Sequence, residues 1–295
     1  MFHSGDAFPS FLEDNFRQIR LFNPVVTIYF LTDIQYLNNP IFKKYNITVL
    51  NKDSFYSSKI SRFEICFKYR HKSNMYQFWV YAAIRLIFIE NFIKTYKLNS
   101  VYHFENDILL YYNLSEFHKI FLKLYPHMSI TVGGQDKCMT GFMFIRDGQS
   151  LSEMTQFFID ILEKYGKGRL MKIYNMDMVN EMTLMRAYSK DYPDKLMLLP
   201  ILPFGEFSKG YDEFISVFDP ASYGMFVGGS AQEKEPGCKP QDHYIGQLLR
   251  EHPEYDVVWK VDDRNRKVPY FKYDGQEVKI NNLHIHSKNL SLYMS

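Results

Sequence analysis

The stretch SVYHFENDILLYY, residues 100–112, decides how the rest of the chain is read. Val101, Tyr102, Phe104, Ile108, Leu109 and Leu110 suit a pleated, buried strand, whereas Asn and Asp are depleted from strands. Glu105, Asn106 and Asp107 therefore mark a strand end or a functional interruption, because an ionised carboxylate is costly to bury unless it is paired or bound to a metal. Side chains alternate along a strand, so Glu105 and Asp107 can present both carboxylates to one side. Mg²⁺ and Mn²⁺ take oxygen ligands and are commonly held by one or two carboxylates, with substrate phosphates completing the shell. Taken alone, however, the triplet fits a capped or salt-bridged strand end better than a metal site.

Upstream, residues 8–22 (FPSFLEDNFRQIRLF) carry apolar residues at helical spacing and stop at Asn23-Pro24. Strands follow over 25–33 (VVTIYFLTD) and 47–50 (ITVL). The run 74–98 predicts a long helix that is apolar almost all round and hence buried. Arg85 sits in its middle, where a buried guanidinium needs an anion such as Glu105 or Asp107. This alternation of strand and helix predicts an α/β fold, a mostly parallel sheet with helices on both faces and ligands bound beyond the strand carboxyl ends. Downstream, strands are expected at 129–134 and 141–147, and helices at 152–166 and 175–190. An irregular last third follows, with a Gly/Pro segment at 231–243 and strands VVWKV, VPYFKY and VKINNLHIHSK. No internal repeat or clean linker divides the chain, so a single domain is expected.

Composition narrows the function. The 295 residues are 46% hydrophobic and 17% aromatic, enough for one large core. A formal net charge of +2 gives no general attraction to nucleic acid or to a membrane surface. Cys66, Cys138 and Cys238 are widely spaced and odd in number, which suggests neither a disulfide framework nor a zinc knuckle, and a reducing compartment. No apolar run is long enough to span a membrane and the N-terminus lacks the pattern of a signal peptide, so a soluble, cytoplasmic protein is expected, with a place at the periphery of a membrane-bound pathway left open. The two Asn-x-Ser/Thr sequons, at Asn46 and Asn113, carry no weight in such a chain.

The C-terminus shifts the balance. In NNLHIHSKNL, His284, His286 and Lys288 stand at i, i+2 and i+4 of an expected strand and so face one side. Imidazole suits Mn²⁺ as a borderline ligand, and a lysine ammonium beside a diphosphate stabilises the charge of a departing phosphate. Together with the distant acidic strand end, these residues point to a metal-diphosphate site.

These residues resemble the nucleotide-sugar glycosyltransferases with a single GT-A domain, in which a DXD motif ends a central strand after a long helix. Glu105-Asn106-Asp107 stands in the DXD place, with Glu for the first Asp, and the terminal INNLHIHSKNL is similar to the histidine and lysine of metal-dependent members. The similarity also runs through FHSGDAFPSFLEDNFRQIRLFNP, FWVYAAIRLIFIENFI and FDPASYGMFVGG. It implies a GT-A-like, Rossmann-like domain with a mixed, mostly parallel sheet, residues 1–112 forming the nucleotide-binding half and 113–295 the acceptor-binding half with the metal-phosphate strand. It implies Mn²⁺ or Mg²⁺ as cofactor, held by Glu105, Asp107, His284 and His286, with Asp107 the safer ligand. It places the donor on His3, Ser4, Gly5, Asp33, Arg85, Asn106 and Lys288, with a UDP-sugar ahead of a GDP-sugar, and implies a carbohydrate or glycoconjugate acceptor.

Glycosyl transfer with inversion needs a carboxylate to take the acceptor proton, and retention need not. The candidates are Asp177 and Glu181, at i and i+4 of the helix expected over 175–190, and Asp219 in FDPASYG. Inversion and retention both stay open. Tyr223, Trp259 and Tyr270 are possible sugar platforms, although core packing is the better reading of each. Rival functions are a metal-dependent nucleotidyltransferase, for which no GxxxxGK[ST] loop is present, and a catalytically silent sugar-nucleotide or carbohydrate-binding protein.

Overall fold

The computed structural model describes residues 1–70, 76–165 and 167–295, so residues 74–75 and 166 of the expected helices lie outside the described residues. The first half runs α1 (Leu12–Phe22), β1 (Ile28–Thr32), α2 (Pro40–Lys44), β2 (Ile47–Asn51), α3 (Ser58–Arg70), α4 (Tyr76–Tyr96), β3 (Asn99–Phe104), β4 (Ile108–Leu110), α5 (Leu114–Leu124), β5 (Met128–Gly134) and β6 (Lys137–Asp147). The second half runs α6 (Gly148–Lys164), α7 (Lys167–Tyr174), α8 (Glu181–Asp191), β7 (Leu196–Leu198), α9 (Tyr211–Phe214), β8 (Ser216–Val217), α10 (Tyr223–Gly228), α11 (Tyr244–Glu251), β9 (Asp256–Val261), β10 (Lys267–Tyr273), β11 (Gln276–Ile280) and β12 (Asn282–His284).

The central sheet has the order β3-β6-β5-β7 and is covered on both faces, which is why its strands are apolar on both sides. Met143 and Ile145 of β6 pack under α3, α4, α6 and α8 in one core, while Phe142 and Phe144 enter a second core with α1, α5 and β1. A third core joins β4, α10, α11 and the sheet β8-β11-β10-β9. The chain is thus mixed α/β, with mixed sheets flanked by helices, as expected. The parallel share is smaller than expected. β1-β2, β5-β7 and β8-β11 are parallel, but β3-β6, β5-β6, β9-β10, β10-β11 and β4-β12 are antiparallel. The cause is local: β5 and β6 are joined by the two-residue turn at Gln135-Asp136, and a connection that short can only return antiparallel.

The acidic stretch sits where the two halves meet. β3 ends at Phe104, the chain turns through Glu105–Asp107 with Ile108 N donating to Glu105 O at 3.2 Å, and β4 pairs with β12 from the C-terminus. Among the described residues, the other edge of β4 has no strand partner. Its carbonyls are met instead by polar side chains, Asn15 Nδ2 to Ile108 O at 2.6 Å and Gln18 Nε2 to Leu110 O at 2.9 Å, both from the buried face of α1. Asn23 at the end of the helix donates to Tyr112 O at 3.0 Å. Buried backbone acceptors must be paired, so Asn15 and Gln18 of the first helix, with Asn23 at its C-cap, fix the segment that follows the acidic turn.

Candidate active site

Glu105, Asp107 and His284 converge, each offering one ligand atom within 4.8 Å of the others. His284 Nε2 lies 3.1 Å from Asp107 Oδ2 and 3.3 Å from Glu105 Oε2. The pairing of His284 with Ile108 across β12-β4 brings the imidazole over the acidic turn, and Ile285 N donates to Asp107 O at 2.9 Å. Two glycines make room. A Cβ at Gly141 would stand 2.8 Å from His284 Nδ1, and one at Gly224 would run into the His284 backbone.

Cations surround the carboxylates. Lys288 Nζ is bonded to Asp107 Oδ2, and Arg85 Nη2 is bonded to Glu105 Oε1. Thr140 bridges the second pair, donating to Glu105 Oε1 and accepting from Arg85 Nη2, both at 2.6 Å. Burial alone would raise the carboxyl pKa values, but Arg85 and His284 overcome it at Glu105 and bring it down to about 2. His284 and Lys288 hold Asp107 well below the usual carboxylate range in the same way. Burial works against the His284 imidazolium, yet Asp107 and Glu105 raise its pKa. Both carboxylates are therefore ionised at neutral pH.

Glu181 joins this group from α8. It is the first helical residue after Asn180, whose side chain accepts from Thr183 N at 3.0 Å in a capping box, and it lies 4.0 Å from Arg85. Burial pushes its carboxyl up to about 7, against the pull of Arg85 and with help from Glu105, and Oε2 has no hydrogen-bond partner among the described residues. The helix expected over 175–190 begins only here. Asp177 is exposed in the preceding turn, its N–H 3.4 Å from Asp136 Oδ2, so the expected i, i+4 helical pair does not exist.

Asp219 is engaged elsewhere. Its Oδ1 accepts from Ser222 N at 2.7 Å and Tyr223 N at 2.9 Å, and its Oδ2 from Gly224 N at 2.9 Å and His284 N at 2.8 Å. With four backbone donors on it and full burial, it caps the first turn of α10 and fixes the His284 backbone, which leaves it no lone pair for an acceptor sugar. All four contacts are to backbone N–H groups, so the hydrogen bonds of Asp219 speak for support of α10 and His284 rather than for the expected proton acceptor. Tyr223 is likewise core, buried with its hydroxyl donating to Ile201 O at 2.9 Å, while Trp259 and Tyr270 stay half-buried on the C-terminal sheet.

The single-face strand expected for His284, His286 and Lys288 stops at His284. Residues 285–288 turn, with Lys288 N donating to Ile285 O at 3.0 Å and Lys288 at φ 65°. The turn still delivers the ammonium to Asp107. His286 lies beside His284, ring centroids 4.2 Å apart and the planes tilted by 49°, and burial together with the His284 charge lowers its pKa to about 3. It stands outside the three-residue ligand group.

The expected nucleotide residues gather at the end of β1. Gly5 N donates to Asp33 Oδ2 at 2.9 Å, Tyr36 Oη donates to Gly5 O at 3.0 Å, and the His3 ring packs against Tyr36 and Phe8. Ser4 lies half-buried between them. Lys52 Nζ sits 3.0 Å from Asp33 Oδ1, a cation that the sequence reading missed. Asn106 joins this group to the acidic turn, with Nδ2 donating to Phe2 O at 3.0 Å and Oδ1 buried without a partner among the described residues.

No protein-family model matches the chain, and no curated protein matches it. Among solved structures, nine chains match. One is mouse xyloside xylosyltransferase 1 in its apo form, with 9% identity over 68% of this chain and 83% of that one and a TM-score of 0.48. At that identity and score the likeness assigns no residue a role.

Proposed function

We propose that the chain is a metal-assisted glycosyltransferase of the GT-A kind that moves a sugar from a nucleotide diphosphate, a UDP-sugar before a GDP-sugar, to a carbohydrate or glycoconjugate hydroxyl. The observation that carries the reading is the convergence of Glu105, Asp107 and His284, from two distant parts of the chain, between the cations Arg85 and Lys288. Two ionised oxygens and an imidazole suit Mn²⁺, and Mg²⁺ less well. These three residues would hold the ion, which would supply positive charge to the leaving diphosphate.

The chain's own groups take the other roles. His3, Ser4, Gly5 and Asp33 cradle the nucleoside at the end of β1, with Asn106 linking that cradle to the diphosphate side. Arg85 and Lys288 are placed to neutralise the diphosphate as the bond from the sugar C1 to its oxygen breaks and the electron pair leaves with that oxygen. The acceptor oxygen forms the new bond to C1, and its proton passes to Glu181, whose pKa near neutrality suits a general base. Residues 1–112 would thus bind the donor and 113–295 the acceptor. The test is a panel of UDP- and GDP-sugars scored for Mn²⁺-dependent hydrolysis. Turnover of one donor, lost with EDTA and in Asp107→Ala, is expected, and the same turnover in both proteins would remove the reading.

A further inference from the structure

The sequence of α4 is apolar almost all round, which predicts full burial, yet one side of its first turns is open. Val80, Ala83, Ile84 and Ile87 are buried in the core, whereas Phe78 is 56% exposed and Tyr81 50% exposed. At about 3.6 residues per turn, Phe78, Tyr81 and Arg85 fall on one face of the helix. A single exposed apolar side chain is ordinary, but two large aromatics in line with an arginine of the candidate site form a patch that leads into it. The Phe78 ring meets Trp79 at 75° with centroids 4.8 Å apart, and Trp79 packs against the core, so the exposed ring is braced.

This face also sets an order along the helix axis. Phe88 is stacked with Phe2, ring centroids 5.6 Å apart, and lies 5.6 Å from the Nζ of Lys52, the cation paired with Asp33. One turn toward the helix N-terminus, Arg85 meets Glu105 and stands 4.0 Å from Glu181. Tyr81 and Phe78 follow at about 6 Å and about 10.5 Å beyond Arg85, by the 1.5 Å rise per residue. In a nucleotide-sugar the sugar is the group farthest from the base. A donor with its base on the Phe88 side and its diphosphate at Arg85 therefore directs its sugar, and the hydroxyl that attacks it, toward Tyr81. Glu181 marks where that hydroxyl stands, and the molecule that carries it extends outward over the two rings. A pyranose has hydroxyls at its rim and polarised C–H groups on its faces, which suit the negative face of an aromatic ring.

We propose that Phe78 and Tyr81 form a platform for sugar rings, and that with donor bound these rings belong to the acceptor. The acceptor is then an oligosaccharide or glycoconjugate of two or more rings, the ring with the attacking hydroxyl beside Tyr81 and the next against Phe78. It would touch both halves of the chain, α4 from the first and Glu181 from the second. The acceptor role rests on the glycosyltransferase reading; the binding of sugar rings does not.

The test binds the whole protein to an array of mono- to tetrasaccharides and, in parallel, titrates UDP and GDP with Mn²⁺. Phe78→Ala and Tyr81→Ala should each weaken the best-bound di- or trisaccharide by about 10-fold, the upper worth of one aromatic contact, with melting and nucleotide affinity unmoved. Tyr81→Phe should keep most of the affinity, and monosaccharides should bind more weakly and lose nothing further in Phe78→Ala. Trp259→Phe leaves Trp79 as the sole tryptophan, and its emission should shift as the glycan binds, which reads the contact with both platform rings intact. No saccharide bound, equal binding in the Phe78→Ala/Tyr81→Ala double variant, or a Trp79 emission indifferent to a bound glycan would each overturn the proposal. So would phosphatidylcholine vesicles bound by the unaltered protein and not by the double variant, the mark of a membrane-facing patch. Saccharide binding that is lost in the double variant, with no nucleotide bound by either protein, would uphold the platform and remove the transferase reading.

Discussion

His284 Nε2 stands 3.1 Å from Asp107 Oδ2, across 177 residues of sequence, and this contact links the N-terminal acidic turn to the C-terminal strand. Both groups are buried and both gain from the pairing. Asp107→Ala should nevertheless leave melting nearly unchanged, because Lys288 is half exposed and can turn to solvent while His284 sheds its proton. Mn²⁺ affinity should fall by more than the ~10–100-fold that loss of a supporting neighbour costs. Calorimetric titration of Mn²⁺ into both proteins measures it, and a large loss of melting temperature with metal binding intact would make the pair purely structural.

Lys288 occupies an oxygen that a metal would need. Lys288→Met should therefore bind Mn²⁺ alone a few-fold more tightly, yet bind UDP more weakly than the unaltered protein while its affinity for uridine stays the same. The paired titrations separate competition for Asp107 from diphosphate recognition, and equal losses for UDP and uridine would contradict the assignment.

Glu181 carries the pH dependence. Its folded pKa of about 7 lies above the ordinary carboxyl value, so its cost to stability is absent at low pH, grows as the unfolded chain ionises above about 4.5, and is fully present above about 7. Glu181→Gln should accordingly gain melting temperature at pH 8 and little or nothing at pH 4. Its turnover should also lose the rise through pH 7 that a general base gives. Thermal melts and rate profiles at both ends of that range test the two halves of the claim.

Gly224 allows α10 to lie against the His284 backbone. Gly224→Ala forces a Cβ into main-chain atoms that cannot yield, and should destabilise the fold by about 1–3 kcal/mol, the cost of overpacking. Gly141→Ala presses on the imidazole ring instead, so its main effect should fall on metal affinity. Denaturant titration of both variants, read with Mn²⁺ binding, distinguishes them.

Much of the frame was legible because periodicity and local chemistry are local signals. The apolar helix around Arg85, the strand broken at Glu105–Asp107 and the helix stop at Asn23-Pro24 all follow from neighbouring residues. Glu181 was singled out on a helix that starts later than expected, because the Asn180–Thr183 capping box outweighs the apolar spacing of the residues before it. The turn after His284 was invisible, since its geometry follows from Ile285 N meeting Asp107 O, a contact set by the pairing of β12 with β4. Thr140, Gly141 and Gly224 carried no signal of their own either. Each matters only through what a distant segment brings against it.

The central claim is that nucleotide diphosphate and metal bind this site together. Calorimetric titration of UDP and GDP into the protein, with Mn²⁺ and with EDTA, tests it most directly. The account predicts that one of the two binds at least ~10-fold more tightly with Mn²⁺, and that Asp107→Ala removes the difference. Nucleotide affinity that is the same with and without the metal, or absent in both, would contradict it.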